Sequence, residues 1–258
     1  MADFFQKMNE KYVQKHFPTG SVFEATSKTL KRRGYVGVFF SGLFLAGCLF
    51  GLVSSIKSTI EVVVEGKKDM LGVALGVCGF LAVITLLFGI AFYFSVKHTR
   101  RKREDYIKLA AKASKLQESE IESFEQQAVA SDTYILKLTA GLDRALSNAT
   151  NKDGLLTRDY IYLASPAQIV MRVEDLKACC FNDYTYYLNT GNRSKKIHCL
   201  AITLIASNGV TDTSDTTMEA GRALMVLLKQ RNAAIDVNGG NVLSEGSLDA
   251  YKKKILEG

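Results

Sequence analysis

Hydrophobic and polar positions mix evenly along most of this chain, and two stretches break the mixture. Gly34 to Ile56 (GYVGVFFSGLFLAGCLFGLVSSI) and Met70 to Val96 (MLGVALGVCGFLAVITLLFGIAFYFSV) carry no charged residue. Each exceeds the ~20 residues that cross a ~30 Å hydrocarbon core at about 1.5 Å per residue. The pattern predicts two transmembrane helices, 34–56 and 70–96, joined by a loop over 57–69. The first run begins too late and is too long for a cleaved signal peptide.

The flanking patterns are weaker. Phe4, Phe5, Met8, Tyr12 and His16 recur at helical spacing, with Lys7 and Lys11 across from most of them, before Pro18 and Gly20. This predicts an amphipathic helix within an N-terminal segment, residues 1–33, that docks on the cytoplasmic domain or lies on the inner leaflet. Residues 104–129 contain no Gly or Pro, and Ile107, Ala110, Leu116, Ile121 and Phe124 form a broken apolar stripe. Glu118, Glu120, Glu122 and Glu125 read as a solvated face. The expectation for 97–131 is a basic juxtamembrane block followed by a helical stalk. Residues 133–147 (TYILKLTAGLDRALS) fit a helix through Ile135, Leu138, Leu142 and Leu146, whereas TYILKL alone suits a strand.

From Leu155 the period shortens. LLTRDYIYLA (155–164), QIVMRV (168–173), ACCFNDYTYYL (178–188) and IHCLAITLIA (197–206) read as four strands separated by turn signals. MEAGRALMVLLKQR (218–231) reads as a helix, and SLDAYKKKIL as a short terminal one. Residues 132–258 are thus expected to be an α+β domain, a sheet closed by a helix.

Charge sharpens the membrane reading. The net charge of +7 divides into +4 over residues 1–34, zero over 35–96, +5 over 97–103 and −2 over 104–258. Basic excess therefore flanks the apolar pair: Lys31, Arg32 and Arg33 on one side, Arg100, Arg101, Lys102 and Arg103 on the other. Positive residues stay on the cytoplasmic side, so both termini are expected in the cytoplasm of a multi-pass plasma-membrane protein. These residues would also attract anionic lipid headgroups, at roughly 1 kcal/mol per charge. No aromatic side chain is interleaved with them, which argues against nucleic acid.

Neither span holds Asp, Glu, Lys, Arg or His, which argues against a transporter acting alone. Each has glycines four apart, Gly47 with Gly51 and Gly72 with Gly76. Such pairs let helix backbones approach closely. They serve packing within the hairpin or, alternatively, a homo-oligomer or a partner subunit in the bilayer.

Candidate chemistry is sparse. Cys179, Cys180 and Cys199 lie in the cytoplasmic part, where structural disulfides are not expected. Adjacent Cys179 and Cys180 point to opposite faces of a strand. A hairpin turning near Asn192 sets Cys199 opposite Thr185, about 17 Å along the strand from Cys180. DVNGGNVLSEGS (236–247) lacks the ligands of a calcium loop, and there is no phosphate loop or nucleophile elbow. The expectation is no enzyme, no metal and no cofactor. Tyr184 and Tyr186 share one strand face and Tyr187 takes the other; these three are the candidate partner surface.

The strand order, the phrase GLLTRDYIYL, the VEDL after the second strand and TYYLNTGNRSKKIHCLAITLIASNG together resemble bacterial pleckstrin-homology-like (PH-like) domains of Gram-positive membrane proteins. A two-span hairpin before such a domain is similar to the YcxB-like architecture. The resemblance covers roughly residues 153–235 and implies a strongly bent antiparallel sheet capped by a C-terminal helix, with no catalytic residues to carry over. The phosphoinositide-binding basic loop of the eukaryotic relatives has no clear counterpart; Arg193, Lys195 and Lys196 read as a solvated hairpin turn ahead of a weak substitute for that loop. The expectation for function is a membrane-anchored interaction or scaffold protein that binds a protein partner within a larger membrane assembly. The alternatives are a homo-oligomeric structural or sensory protein, or an accessory subunit of a transporter or membrane enzyme.

Overall fold

The computed structural model describes residues 4–66, 68–140, 153–190, 193–244 and 246–257. The chain divides into two compact units. One joins Met1–Phe23 to Asp105–Gly258, and the other is Glu24–Glu104.

The N-terminal segment is not one amphipathic helix. It forms a strand, β1 (Phe5–Lys7), and a short helix, α1 (Glu10–His16). Asn9 separates them as the N-cap, its Oδ1 accepting from the Tyr12 amide at 2.9 Å. Met8 is buried, and Phe4 and Phe5 pack on the core. Of the two expected placements, the segment takes the docked one.

Helix α2 (Val22–Val64) follows, then α3 (Lys68–Thr99). Val22 and Phe23 are buried in the first unit. The Glu125 carboxylate accepts from the Ser21 hydroxyl and from the Phe23 amide at 3.0 Å, satisfying donors at the start of the helix.

The apolar stretches within these helices, Gly34–Val64 and Asp69–Lys97, are long and apolar enough to cross a membrane. The expected loop at 57–69 is mostly absent, because α2 continues to Val64 and the turn follows at Glu65 and Gly66. Within the hairpin, Phe44 stacks on Phe88 with centroids 5.3 Å apart. Cys78 Sγ lies 3.1 Å from Ser55 Oγ and 3.2 Å from Thr59 Oγ1.

The expected stalk is instead two helices, α4 (Arg103–Ser114) and α5 (Glu118–Ala128). The chain breaks at Lys115, whose φ of 53° is left-handed. Tyr106, Ile107 and Ala110 from α4 enter the same core as Ile121, Phe124 and Ala128 from α5. A straight helix would carry one of these sets away from the other. Glu125 is buried, not solvated.

The first sheet contains β1, β2 (Tyr134–Leu136), β3 (Gly154–Leu156), β4 (Tyr160–Tyr162) and β5 (Val170–Arg172), in that order and antiparallel throughout. The ambiguous stretch 133–147 thus begins as a strand; residues 141–147 lie outside the described residues. LLTRDYIYLA is two strands turning at Thr157–Asp159, closed by Thr157 N–H donating to Tyr160 O at 2.8 Å.

A second sheet has the order β8 (Thr211–Asp215), β7 (Arg193–Ala206), β6 (Leu176–Thr190), β9 (Val242–Leu243). Strand β8, read from TDTSD, was not expected. Its polar residues alternate: Thr213 joins Thr203 on one face, while Asp212 lies opposite Leu204. Helix α6 (Met218–Arg231) has the expected bounds and is capped by Thr217, which accepts from the Ala220 amide at 3.2 Å. A terminal helix, α7 (Leu248–Glu257), buries Tyr251 against Ala178, Cys180 and Ile205.

Candidate membrane and partner surfaces

The basic flanks fall at helix ends. Lys31, Arg32 and Arg33 lie on α2 just before its apolar stretch, and Arg100, Arg101 and Lys102 connect α3 to Arg103 at the start of α4. Arg100 and Lys102 are exposed, while Lys31, Arg101 and Arg103 are half-buried. The side chains of Arg32 and Arg33 lie outside the described residues.

The glycines divide differently from their spacing. A methyl group built at Gly34 would lie 2.5 Å from Thr99 Cγ2, at Gly42 3.3 Å from Phe92, and at Gly37 3.8 Å from Ser95 Oγ. Close approach of α2 and α3 therefore runs through Gly34, Gly37 and Gly42. Of the glycines chosen from the sequence, Gly51 only reaches Leu81 at 4.0 Å, and methyls at Gly47, Gly72 and Gly76 would meet nothing within 4 Å. The glycines spaced four apart are thus not those at the closest approach of the two helices. Those at the closest approach, Gly34, Gly37 and Gly42, are separated by three and five residues and carry no simple signature.

The long strands β6 and β7 place the tyrosines. Their ladder runs from Leu176↔Ala206 to Thr190↔Arg193, with Tyr184 opposite Cys199 and Tyr187 opposite Lys196. This register is one residue from the expected one, which set Thr185 opposite Cys199; Asn192 itself lies outside the described residues. Neighbouring strands cover only part of the pair. Strand β8 reaches Ala201–Ile205 of β7, and β9 reaches Phe181 and Asn182 of β6. Residues 183–190 and 193–200 continue as a two-stranded arm with no further described strand beside it.

On one face of the pair, the Tyr184 hydroxyl donates to the Asp215 carboxylate across β7. Burial, then this bond, holds the Tyr184 phenol well above its usual pKa. Tyr184 and Tyr186 are both half-buried. Tyr187, on the opposite face, is 65% exposed. Of the three tyrosines, only Tyr187 stands open.

The cysteines are dispersed. Cys179 packs in the main core and Cys180 against α7, on opposite faces of β6. Cys180 pairs with Thr203, four ladder positions from Cys199, or about 13 Å. Burial pushes the Cys180 thiol up to about 12, raises that of Cys179 further, and raises that of Cys199, disfavouring the thiolates. Among the described residues, no three His, Cys, Asp or Glu side chains gather in a metal-binding group.

Three features had no sequence signal, because they join residues distant in the chain. A polar cleft of about 620 Å³ is lined by Arg158, Arg172 and Arg231 with Glu120, Asp159 and Glu174. Its arginines are already engaged. Arg172 pairs with Asp175 at 2.7 Å, Glu174 at 3.3 Å and Glu120 at 3.6 Å. Arg231 donates to Thr157 O and stacks over Tyr134, 5.7 Å from the ring centre. An apolar groove of about 350 Å³ runs beside α6 at Met225, Val226 and Val237. Finally, Asp212 is a buried carboxylate beside Ser165; burial raises its pKa to about 6.

No family model, no curated protein and no solved structure matches this chain.

Proposed function

We propose that this chain is a membrane-anchored interaction protein. Its two apolar helices cross the plasma membrane, both termini lie in the cytoplasm, and its α+β unit, read as PH-like, binds a protein partner in a larger membrane assembly. One observation carries this reading: residues before and after the hairpin build a single unit. Strand β1 completes a sheet with β2, and Phe23 is buried against Phe124 and Tyr162, on the far side of the hairpin in sequence. A folded body made from both flanks keeps both ends of the hairpin on one side of a bilayer. The basic residues at Lys31–Arg33 and Arg100–Arg103 favour the cytoplasmic side for that body. The groove beside α6 and the tyrosines of the arm, Tyr184, Tyr186 and the open Tyr187, are where a protein partner fits, and the basic flanks bind anionic lipid headgroups.

The test is purification of the full chain in mild detergent, paired with reporter fusions at each terminus. A stoichiometric partner, and cytoplasmic reporters at both ends, are expected. Recovery of the chain alone would count against the partner, and an external reporter would overturn the topology.

A second reading, a homo-oligomer assembled in the bilayer, is favoured by the open faces at Gly47, Gly72 and Gly76.

A further inference from the structure

Helices α6 and α7 cover opposite faces of the second sheet, and they are fastened differently. Helix α6 lies over Phe181 and buries Ala220, Gly221, Leu224, Met225 and Leu228. Its end is bolted down: Arg231 donates to Thr157 O, and Asn232 donates to Val173 O at 2.9 Å and to Leu176 O at 3.3 Å. Helix α7 lies over Cys180 and, of its ten residues, buries Tyr251 alone. Among the described residues, no hydrogen bond or ion pair joins α7 to the sheet. The Lys253–Glu257 pair, at 4.0 Å, stays within the helix.

The contact under α7 also leaves polar groups unpaired. Burial, then the nearby Asp236 carboxylate, holds the Tyr251 phenol well above its usual pKa, yet no hydrogen bond closes between them, and the buried hydroxyl has no partner. Thr211 sits opposite Ile205 in the ladder, so its side chain takes the same face; its hydroxyl too is buried without a partner. Such groups carry their desolvation cost with no bond to offset it. Few buried apolar side chains and no polar fastening mark an element that opens locally, far below the cost of global unfolding. Gly246, with a φ of 88° in the turn between β9 and α7, supplies a hinge.

We propose that α7 is a strap that opens as a unit while the rest of the α+β unit stays folded. Opening uncovers Ala178, Cys180 and Ile205, the buried residues packed under Tyr251. Alternate residues of a strand share a face, so Ala178 and Cys180 lie on the face of β6 that carries Tyr184 and Tyr186. The open state extends that tyrosine face to the base of the sheet, and the closed state conceals the extension. The strap is a property of the fold and does not depend on the interaction-protein reading.

The adjacent cysteines supply a paired readout, because Cys180 lies under α7 and Cys179 in the main core on the other face. The full chain in mild detergent is pulsed with N-ethylmaleimide, and the labelled peptide is fragmented to separate the two sites. Each rate is referred to that of the same cysteine in the urea-unfolded chain. Cys180 is expected to label roughly a hundredfold faster than Cys179, and α7 amides to exchange ahead of those of α6, while β6 and β7 amides stay protected. Tyr251→Phe removes an unpaired hydroxyl but keeps the ring, and is expected to slow Cys180 labelling about tenfold. Tyr251→Ala removes the ring and is expected to speed it by about tenfold or more. Equal labelling of the two cysteines would mean that α7 leaves only when the whole unit unfolds, which overturns the proposal. Labelling of Cys180 as fast as in the unfolded chain would mean that no closed state exists, and overturns it too. A Tyr251→Phe chain that labels faster than the native one would show the hydroxyl holding α7 down, and overturns the weak fastening on which the strap depends.

Discussion

At the scale of single residues, the informative groups are those whose surroundings contradict their type. Asp212 lies in a strand of small polar residues that reads as a turn, yet it is 5% exposed. Its pKa of about 6 stands above the ordinary aspartate value because burial penalises the carboxylate. The folded state therefore holds a proton that the unfolded state releases. Between roughly pH 4 and pH 6 stability rises as pH falls; above pH 6 the charged carboxylate costs at most about 3 kcal/mol. Asp212→Asn keeps an acceptor for the Thr213 amide, 3.0 Å away in the native chain. It is expected to slow hydrogen exchange of β8 at about pH 7.5 by up to about a hundredfold, and to act much less at about pH 5. Equal protection of variant and native chain at both values would remove Asp212 as a source of pH dependence. Gly221 shows what sequence patterning misses at this scale. A methyl there would overlap the Phe181 ring, with Cζ at 2.6 Å, so the glycine is needed for α6 to sit on the sheet. A glycine inside a helical pattern signals only weaker helix propensity; the aromatic it accommodates is forty residues away.

Among elements, those fixed by local pattern were legible and those fixed by distant contacts were not. Helix α6 has both a cap, Thr217, and a stripe at Ala220, Leu224 and Leu228, so its bounds follow from sequence. The apolar helices announce themselves by length. Strand β8, by contrast, draws its place from pairing with β7, since TDTSD has little strand propensity of its own. The break between α4 and α5 falls at Lys115, a good helix former; folding both apolar stripes into one core overrides that preference. The hairpin glycines carry a prediction at this scale. Gly72→Ile with Gly76→Ile adds bulk where the hairpin has none to meet, so the two helices stay packed. If the bilayer holds a homo-oligomer through that face, the double variant weakens it about tenfold or more, read as a smaller particle on native gels in mild detergent. An unchanged size discards the homo-oligomer through those glycines. Gly42→Ile is the contrasting control, since it crowds Phe92 and loosens the hairpin itself.

The whole molecule is a discontinuous unit interrupted by a hairpin, and this was the least legible feature. Periodicity marked Phe4, Phe5, Met8 and Tyr12 as an apolar face but said nothing of the strand they would join. The domain boundary drawn at residue 132 from the change in texture omits β1, α1, the first turn of α2, and α4 and α5. Those pieces supply much of one core. Met8, Val22, Phe23, Tyr106, Ile107, Ile121 and Phe124 are all buried there, packed with Ile135, Leu155, Tyr160 and Tyr162. Burying a large apolar side chain contributes about 1.5–3 kcal/mol, so losing even Met8, Val22 and Phe23 costs about 5–9 kcal/mol. That matches the full stability of an ordinary domain, about 5–15 kcal/mol. A fragment of residues 132–258 is therefore expected to be unfolded or aggregated. A chain in which a flexible Gly/Ser linker replaces Glu24–Glu104 keeps every one of these side chains, and is expected to fold without detergent. Cooperative thermal unfolding and protected amides in β2–β4 are the readout. If 132–258 alone melted cooperatively, with the same protected strands as the linked chain, the N-terminal residues would be an appendage and not part of the fold. The topological argument for placing both ends of the hairpin on one side of the membrane would fall with them.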